Sequence, residues 1–298
     1  MLRPLATIPR FLTPLALLAA ALGLAIPSPW LAARSDLLLA LLVLATALRI
    51  SFADLARLRD HTGPVVFLSL VPLPVLVGAA WLLGRPFAPL VRDGLLAVGL
   101  SSSEIAAVGL VALAGADATI ALGAVTGSLV LAALVGPLAI GWLSGSAVHV
   151  SSAHLLARFA LVVLVPLLIG VAARSRAALT THLAAVDAER EGVAALTVAV
   201  LVYAALSGTH GAHHLGAALL ASVAFLIVCV CLAQLWRRMD GRGASAVPGA
   251  FTIAMRDFAV AAALATQAFG TAAGAVPGVY GVVMLVVAAI AAGRFSGA

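Results

Sequence analysis

Lysine is absent from the 298 residues, and charge of any kind is scarce: Asp, Glu, Lys and Arg together make up 9%. A soluble domain carries about 25%. Aromatic residues reach only 5% and cysteines number two, while 64% of the chain is hydrophobic. So little charge cannot coat a water-soluble core of that apolar content. A soluble enzyme, a nucleic-acid binder and a disordered chain are excluded on composition alone. Cys229 and Cys231 stand two apart in an apolar run, with no CxxC or zinc-type spacing around them. Lack of lysine beside abundant Ala, Leu and Arg has the look of GC-rich bacterial coding. The expected setting is therefore a bacterial inner membrane.

What the chain has is long uncharged runs. Residues 11–33, 62–84, 118–157, 192–236 and 258–293 contain no Asp, Glu, Lys or Arg. The first two fit one crossing each, and the last three are too long for one. At about 20 residues per span, the length accommodates about ten helices. The ten-residue alternations of a membrane β-barrel are missing. Spans are expected near 11–27, 31–51, 63–84, 93–116, 118–143, 154–174, 191–207, 214–236, 247–270 and 274–293. With ten spans, the termini and even-numbered connections hold twelve Arg and the odd-numbered connections hold four, Arg34, Arg85, Arg92 and Arg158. That bias places both termini in the cytoplasm. Cleaving residues 1–33 as a signal peptide would leave nine spans and separate the termini, so retention is expected.

A polar connection at 173–192 divides the chain near its midpoint. Five spans on each side is an odd number, so two similar halves, 1–150 and 151–298, would enter the bilayer with opposite orientation. That is the plan of inverted-repeat transporters.

Titratable residues concentrate in loops, with two exceptions. Glu104 has ten uncharged residues before it and twelve after; Arg256 and Asp257 follow thirteen uncharged residues and precede 36 more. A charge at such depth costs at least about 2.5–3.5 kcal/mol and needs a partner, water or a ligand. Helix-weakening residues accompany both: Gly99, Ser101, Ser102 and Ser103 before Glu104, and Pro248, Gly249 and Thr252 before Arg256. Both sites are candidates for broken helices at the midplane. Their separation, 257 − 104 = 153, is close to half the chain. The serines either ligate a solute or simply satisfy neighbouring carbonyls.

The stretch Gly99-Leu-Ser-Ser-Ser-Glu-Ile-Ala-Ala-Val-Gly-Leu-Val-Ala-Leu-Ala-Gly-Ala-Asp117, continuing through Thr126-Gly-Ser128 to Pro137, resembles the fourth and fifth helices of the bile acid:sodium symporter family. Thr252-Ile-Ala-Met-Arg-Asp-Phe-Ala-Val-Ala261, followed by Pro277 and Gly278, is similar to the ninth and tenth. The likeness is clearest over 93–143 and 247–293. It implies an all-α polytopic protein of ten helices in two inverted five-helix repeats. Helices 3–5 and 8–10 would form a core domain, helices 1, 2, 6 and 7 a panel, and the discontinuous helices 4 and 9 would cross. The resemblance implies a secondary transporter of an organic anion or amphipathic solute, working by alternating access, with no catalytic role and no resident cofactor.

The chain departs from the family at the sodium positions. Sodium-using members typically have Ser-Asn where this chain has Ala107-Val108, and helix-5 hydroxyls are replaced by Ala121 and Val125, leaving Thr126 and Ser128 nearby. The family's Glu in helix 9 matches Thr252, its Gln-Asn pair matches Arg256-Asp257, and a Gln in helix 3 becomes Ser69. These changes remove most hard oxygen ligands and argue against two-sodium coupling, leaving a proton or no coupling ion. The expected binding set is Glu104, Arg256, Asp257, Ser101, Ser102, Ser103, Thr252, Ser69, Thr126 and Ser128. Arg256 either forms a purely structural ion pair that holds the crossing together, or pairs with one carboxylate while the other, desolvated, carries a proton; the two roles can coexist. A non-transporting sensor on the same fold is the main alternative. An intramembrane enzyme would have only Glu104 and Asp257 as a catalytic dyad. His210, His213 and His214, and His149 with His154, read as solvated turns; Pro72, Pro74 and Pro166 read as kinks.

Overall fold

In lipid every backbone polar group must find its partner inside the protein, so apolar runs of this length fold as helices. The computed structural model describes residues 11–144, 151–176, 179, 182–183, 185–208, 214–241 and 243–295. His149, His210, His213, Arg3, Arg10 and Arg242 lie outside them. Among the described residues the elements are helices, and the one strand-like contact is an antiparallel bridge between Ser103 and Arg256.

In chain order the helices are α1 Leu12–Ala25, α2 Ser35–Ala47, α3 Phe52–Gly84, α4 Pro89–Leu100, α5 Ala106–Leu113, α6 Ala118–Leu143, α7 Ser152–Arg174, α8 Asp187–Ser207, α9 Leu215–Asp240, α10 Ala246–Ala254, α11 Phe258–Phe269 and α12 Ala275–Phe295. Among the described residues six segments are long and apolar enough to cross a membrane, and α1, α2 and α11 are shorter apolar helices. This is a multi-pass helical membrane protein.

Several boundaries differ from the sequence expectation: α2 is shorter than 31–51, α4 begins at Pro89 ahead of 93, and α3 and α8 start early for a local reason. Helix α3 begins at Phe52, ahead of the expected 63, because a reciprocal cap starts it early. Ser51 Oγ accepts from the Asp54 amide at 3.2 Å while Asp54 Oδ2 accepts from the Ser51 amide at 3.0 Å. The charged turn around Arg57 and Arg59 is thus helical. Helix α8 opens on Asp187 and Glu189, acids that suit the positive end of a helix. The α3 rod bends at Val71, just before Pro72, while Pro137 and Pro166 sit inside helices that continue through them.

The packing partners come in matching pairs across the two halves. Helix α1 lies on α8 as α7 lies on α2; α3 lies on α4 as α9 lies on α10; α6 lies on α3 as α12 lies on α9; and α4 lies on α11 as α10 lies on α5. Small residues permit the closest approaches. A Cβ on Gly99 of α4 would stand 2.7 Å from the Ala80 Cβ of α3. A Cβ on Gly281 of α12 would collide with the Phe258 ring of α11.

One pair breaks the match. Helix α11 is packed on the flanking helices α2, α7 and α8 as well as on α4, α6 and α12, and residues 258–265 are all buried. Its counterpart α5 packs mainly on α6 and α10, and Gly109, Ala112 and Leu113 are exposed. The covered half-helix is also tied at its far end: Gln267 Nε2 donates to Asp36 Oδ1 at 2.8 Å, and Arg158 Nη2 reaches Asp36 Oδ2 at 2.6 Å.

Candidate functional site

The site grows from the two places where the helical ladder stops. After Leu100 the chain runs extended through Ser101 and resumes as α5 at Ala106; after Ala254 it runs extended through Met255 and Asp257 and resumes as α11 at Phe258. Extended backbone inside a membrane needs partners, and the two breaks supply them to each other. The Glu104 amide donates to the Met255 carbonyl at 3.0 Å, and the Asp257 amide donates to the Ser102 carbonyl at 2.8 Å. Ser103 and Arg256 sit opposite each other at the centre of this two-bond bridge.

That leaves the amides of Ser103 and Arg256, and each meets a hydroxyl from the neighbouring long helix. Ser103 N–H donates to Ser128 Oγ of α6 at 3.0 Å; Arg256 N–H donates to Tyr280 Oη of α12 at 3.3 Å. The spacings, 256 − 103 = 153 and 280 − 128 = 152, differ by one residue and lie close to half the chain. The sequence reading singled out Ser128 and missed Tyr280. Adding 153 to Ser128 lands on Gly281, one residue past Tyr280, so the half-chain offset points to the right turn of α12 but not to the residue itself.

Asp257 caps α11: Oδ1 accepts from the amides of Ala259 at 2.9 Å and Val260 at 3.0 Å. The Glu104 carboxyl lies beside the amides of Ile105 and Ala106 at the start of α5, close enough to Asp257 for the two acids to feel each other. Both positive helix ends therefore point at the crossing, each with an acid at its mouth. Glu104 is 5% exposed, and its Oε2 has no hydrogen-bond partner.

Arg256 is 1% exposed and forms no ion pair among the described residues, so the expected pairing with a carboxylate is not formed there. The reason is local: Asp257 is turned onto the α11 amides and Glu104 toward those of α5. The guanidinium instead lies among Cys229 of α9 and Tyr280 of α12, with Nε and Nη2 unpartnered.

The other expected residues divide into two groups. Ser102, Ser103 and Asp257 line one cavity of about 20 Å³ together with Leu42, Val43, Thr46, Ile105, Val125 and Leu129. That is room for about one water molecule. Ser102 Oγ is buried there without a partner. By contrast, Ser101 Oγ donates to the Val98 carbonyl, Thr252 Oγ1 to the Pro248 carbonyl and Ser69 Oγ to the Val65 carbonyl, each within its own helix or helix end. These three play the backbone-satisfying role. Ser128 holds Ser103, and Thr126 Oγ1 is buried with no partner. The cavity wall from α2, with Thr46 at its polar end, was not legible, because nothing local marks which helix face will lie against a distant break.

The comparisons with known proteins are silent: no family model matches the chain, and no curated protein matches it.

Proposed function

We propose that the chain is a secondary transporter of an organic anion or amphipathic solute, a divergent relative of the bile acid:sodium symporters. In this reading α4–α5 and α10–α11 are the fourth and ninth of ten spans, in two inverted repeats of five. The breaks cross within a core, and α1, α2, α7 and α8 form a panel that rocks against it. The paired packing partners, the bridge between Ser103 and Arg256, and the hydroxyls of Ser128 and Tyr280 at an offset within one residue of the bridge's all support that plan.

The observation that carries the functional reading is the unequal cover of two equivalent half-helices. The panel clasps α11 and leaves the 109, 112 and 113 face of α5 open. A static scaffold gains nothing from matched parts held unequally, whereas alternating access requires it: each half-helix is covered in turn. The open face lies toward the membrane side of the Arg174, Arg190 and Arg237 connections, which the arginine bias assigns to the cytoplasm. The cavity beside the crossing is the closed remnant of the solute path. Apolar Leu42, Val43, Ile105, Val125 and Leu129 suit a hydrocarbon body, and Ser102, Ser103 and the two helix mouths suit a polar head. With the sodium-type ligands replaced, coupling falls to a proton carried by Glu104, or is absent.

The deciding experiment is uptake of radiolabelled amphipathic and short-chain organic anions by purified protein in liposomes, under imposed proton and sodium gradients. Solute flux supports transport, and a sodium-independent response to the proton gradient supports Glu104 as carrier. Ligand binding with no flux under either gradient refutes transport and leaves a sensor.

A further inference from the structure

Three features of the interior stand outside the solute path: the Asp36–Arg158–Gln267 tie, the partnerless Thr126 hydroxyl, and the guanidinium of Arg256. The third carries furthest. We propose that the core holds one small inorganic anion, of halide size, against the Arg256 guanidinium, with the hydrogen-bonded Tyr280–Cys229 pair as its further donor.

Arg256 is the largest fully buried side chain among the described residues, and two of its three guanidinium nitrogens have no hydrogen-bond partner. A buried charge in that state is strongly unfavourable unless something pairs it. The neighbouring acids are committed elsewhere. Asp257 is near enough to soften the charge, but its Oδ1 is taken by two α11 amides, and Glu104 lies against the start of α5.

The groups that do face the guanidinium are donors. Tyr280 Oη accepts from the Arg256 amide and its hydroxyl pairs with the Cys229 thiol, which is 0% exposed, so this phenol–thiol pair has one proton left to give. Arginine has five N–H donors and no acceptor. The cluster therefore holds more donors than acceptors: the orphaned guanidinium N–H groups and the spare proton of the Tyr280–Cys229 pair have nothing to receive them. Water would accept hydrogen bonds but leave the charge; a monovalent anion answers both. Aromatic walls set the size. Phe258 packs against the Gly281 backbone, and the Phe225 ring stands edge-on to Tyr280 at 6.0 Å. Phe225, Cys229, Phe258 and Tyr280 are each 0–1% exposed, so no open path admits a carboxylate with a carbon body attached. The cavity lined by Asp257 and Ser102 does not include Arg256, so this site is separate from the solute path and independent of the transport reading.

The test is thermal unfolding of the detergent-purified protein at constant ionic strength, exchanging sodium gluconate for sodium bromide. Wild type is expected to melt at higher temperature as bromide rises, with saturation. Tyr280→Phe, which keeps the ring and removes one donor, raises the half-saturating bromide concentration about 5–10-fold, the loss of one hydrogen bond. Arg256→Gln abolishes the response. Should Arg256→Gln fail to fold, Tyr280→Phe and diffraction from bromide-soaked crystals decide, with an anomalous peak expected beside Arg256. Equal melting in gluconate and bromide overturns the proposal. So does a bromide response unchanged in Tyr280→Phe and Arg256→Gln, or bromide density elsewhere only. Sodium acetate is the final arm: stabilisation equal to that by bromide would give the site to a carboxylate-bearing solute and overturn the halide-sized assignment.

Discussion

The tie at the far end of α11 is the most direct handle on the proposed motion. Asp36 stands in the first turn of α2 with its side chain 13% exposed, receiving Gln267 from α11 and Arg158 from α7. Uncovering α11 must break the Gln267 bond, whereas the acid's favourable place at the α2 N-terminus persists in both states and cancels. Arg158 is 51% exposed, so its share of the ion pair is discounted as a screened surface contact. Asp36→Asn keeps a weaker neutral acceptor. The net loss in the covered state is about 1–2 kcal/mol, which multiplies the uncovered population about 5–30-fold. The reporter is Ala265→Cys, 0% exposed on α11, set against Ala112→Cys on the open face of α5, the residue 153 positions earlier. Exposed Cys231 is first replaced by Ser, and buried Cys229 is left in place. A membrane-impermeant maleimide is then applied from each side. Ala112→Cys is expected to react readily from the Arg174 side, and Ala265→Cys slowly from the Arg158 side. Adding Asp36→Asn should speed the second rate about 5–30-fold and slow the first. Equal labelling of the two cysteines in the wild-type background, or an Ala265→Cys rate indifferent to Asp36→Asn, would refute the clasp.

Other consequences follow from single contacts. Ser128→Ala leaves the Ser103 amide without its acceptor and should cost about 1–3 kcal/mol in detergent unfolding, while Ser128→Thr, retaining a hydroxyl, should cost far less. Gly281→Ala drives a methyl into Phe258 and is expected to destabilise by about 1–3 kcal/mol. Gly109→Ala meets nothing within 4 Å on the open face of α5 and should gain up to about 1 kcal/mol of helix propensity. Were Gly109→Ala the more harmful of the two, the assignment of open and covered faces would be reversed. Glu104→Gln should leave folding intact and remove the proton-driven component of uptake; a proton response that survives it discards Glu104 as the carrier.

The sequence revealed what depends on local chemistry along one strand of chain. Uncharged runs gave the helices, and acids isolated among glycine and serine gave the breaks at 101–105 and 255–257. Helix α3 starts ahead of the expected 63 because the Ser51–Asp54 cap, itself a local signal, carries the charged turn at Arg57 and Arg59 into the helix. The fate of Arg256 was a different kind of problem. Proximity in sequence made Asp257 its natural partner, but a residue that caps a helix must turn its carboxylate along the helix axis, and residue 256 then points elsewhere. Which side chains fill that direction depends on α9 and α12, which no spacing rule near residue 256 describes.

The unequal cover of α5 and α11 lies beyond sequence for a deeper reason. Both half-helices are short, rich in small apolar residues and opened by an acid, and nothing in either marks it as the one to be buried. When two similar surfaces compete for one panel, the two packings are close in free energy, and a few contacts decide between them. Here those contacts are the Asp36–Gln267–Arg158 tie and the approach of Gly208 at the end of α8 to Thr271. Both lie at one membrane face, remote from the crossing. A preference set by weak, peripheral contacts is reversible by a ligand that binds the crossing better in one arrangement than in the other. The same indifference that hides the covered half from sequence analysis is what lets a solute at the crossing choose it.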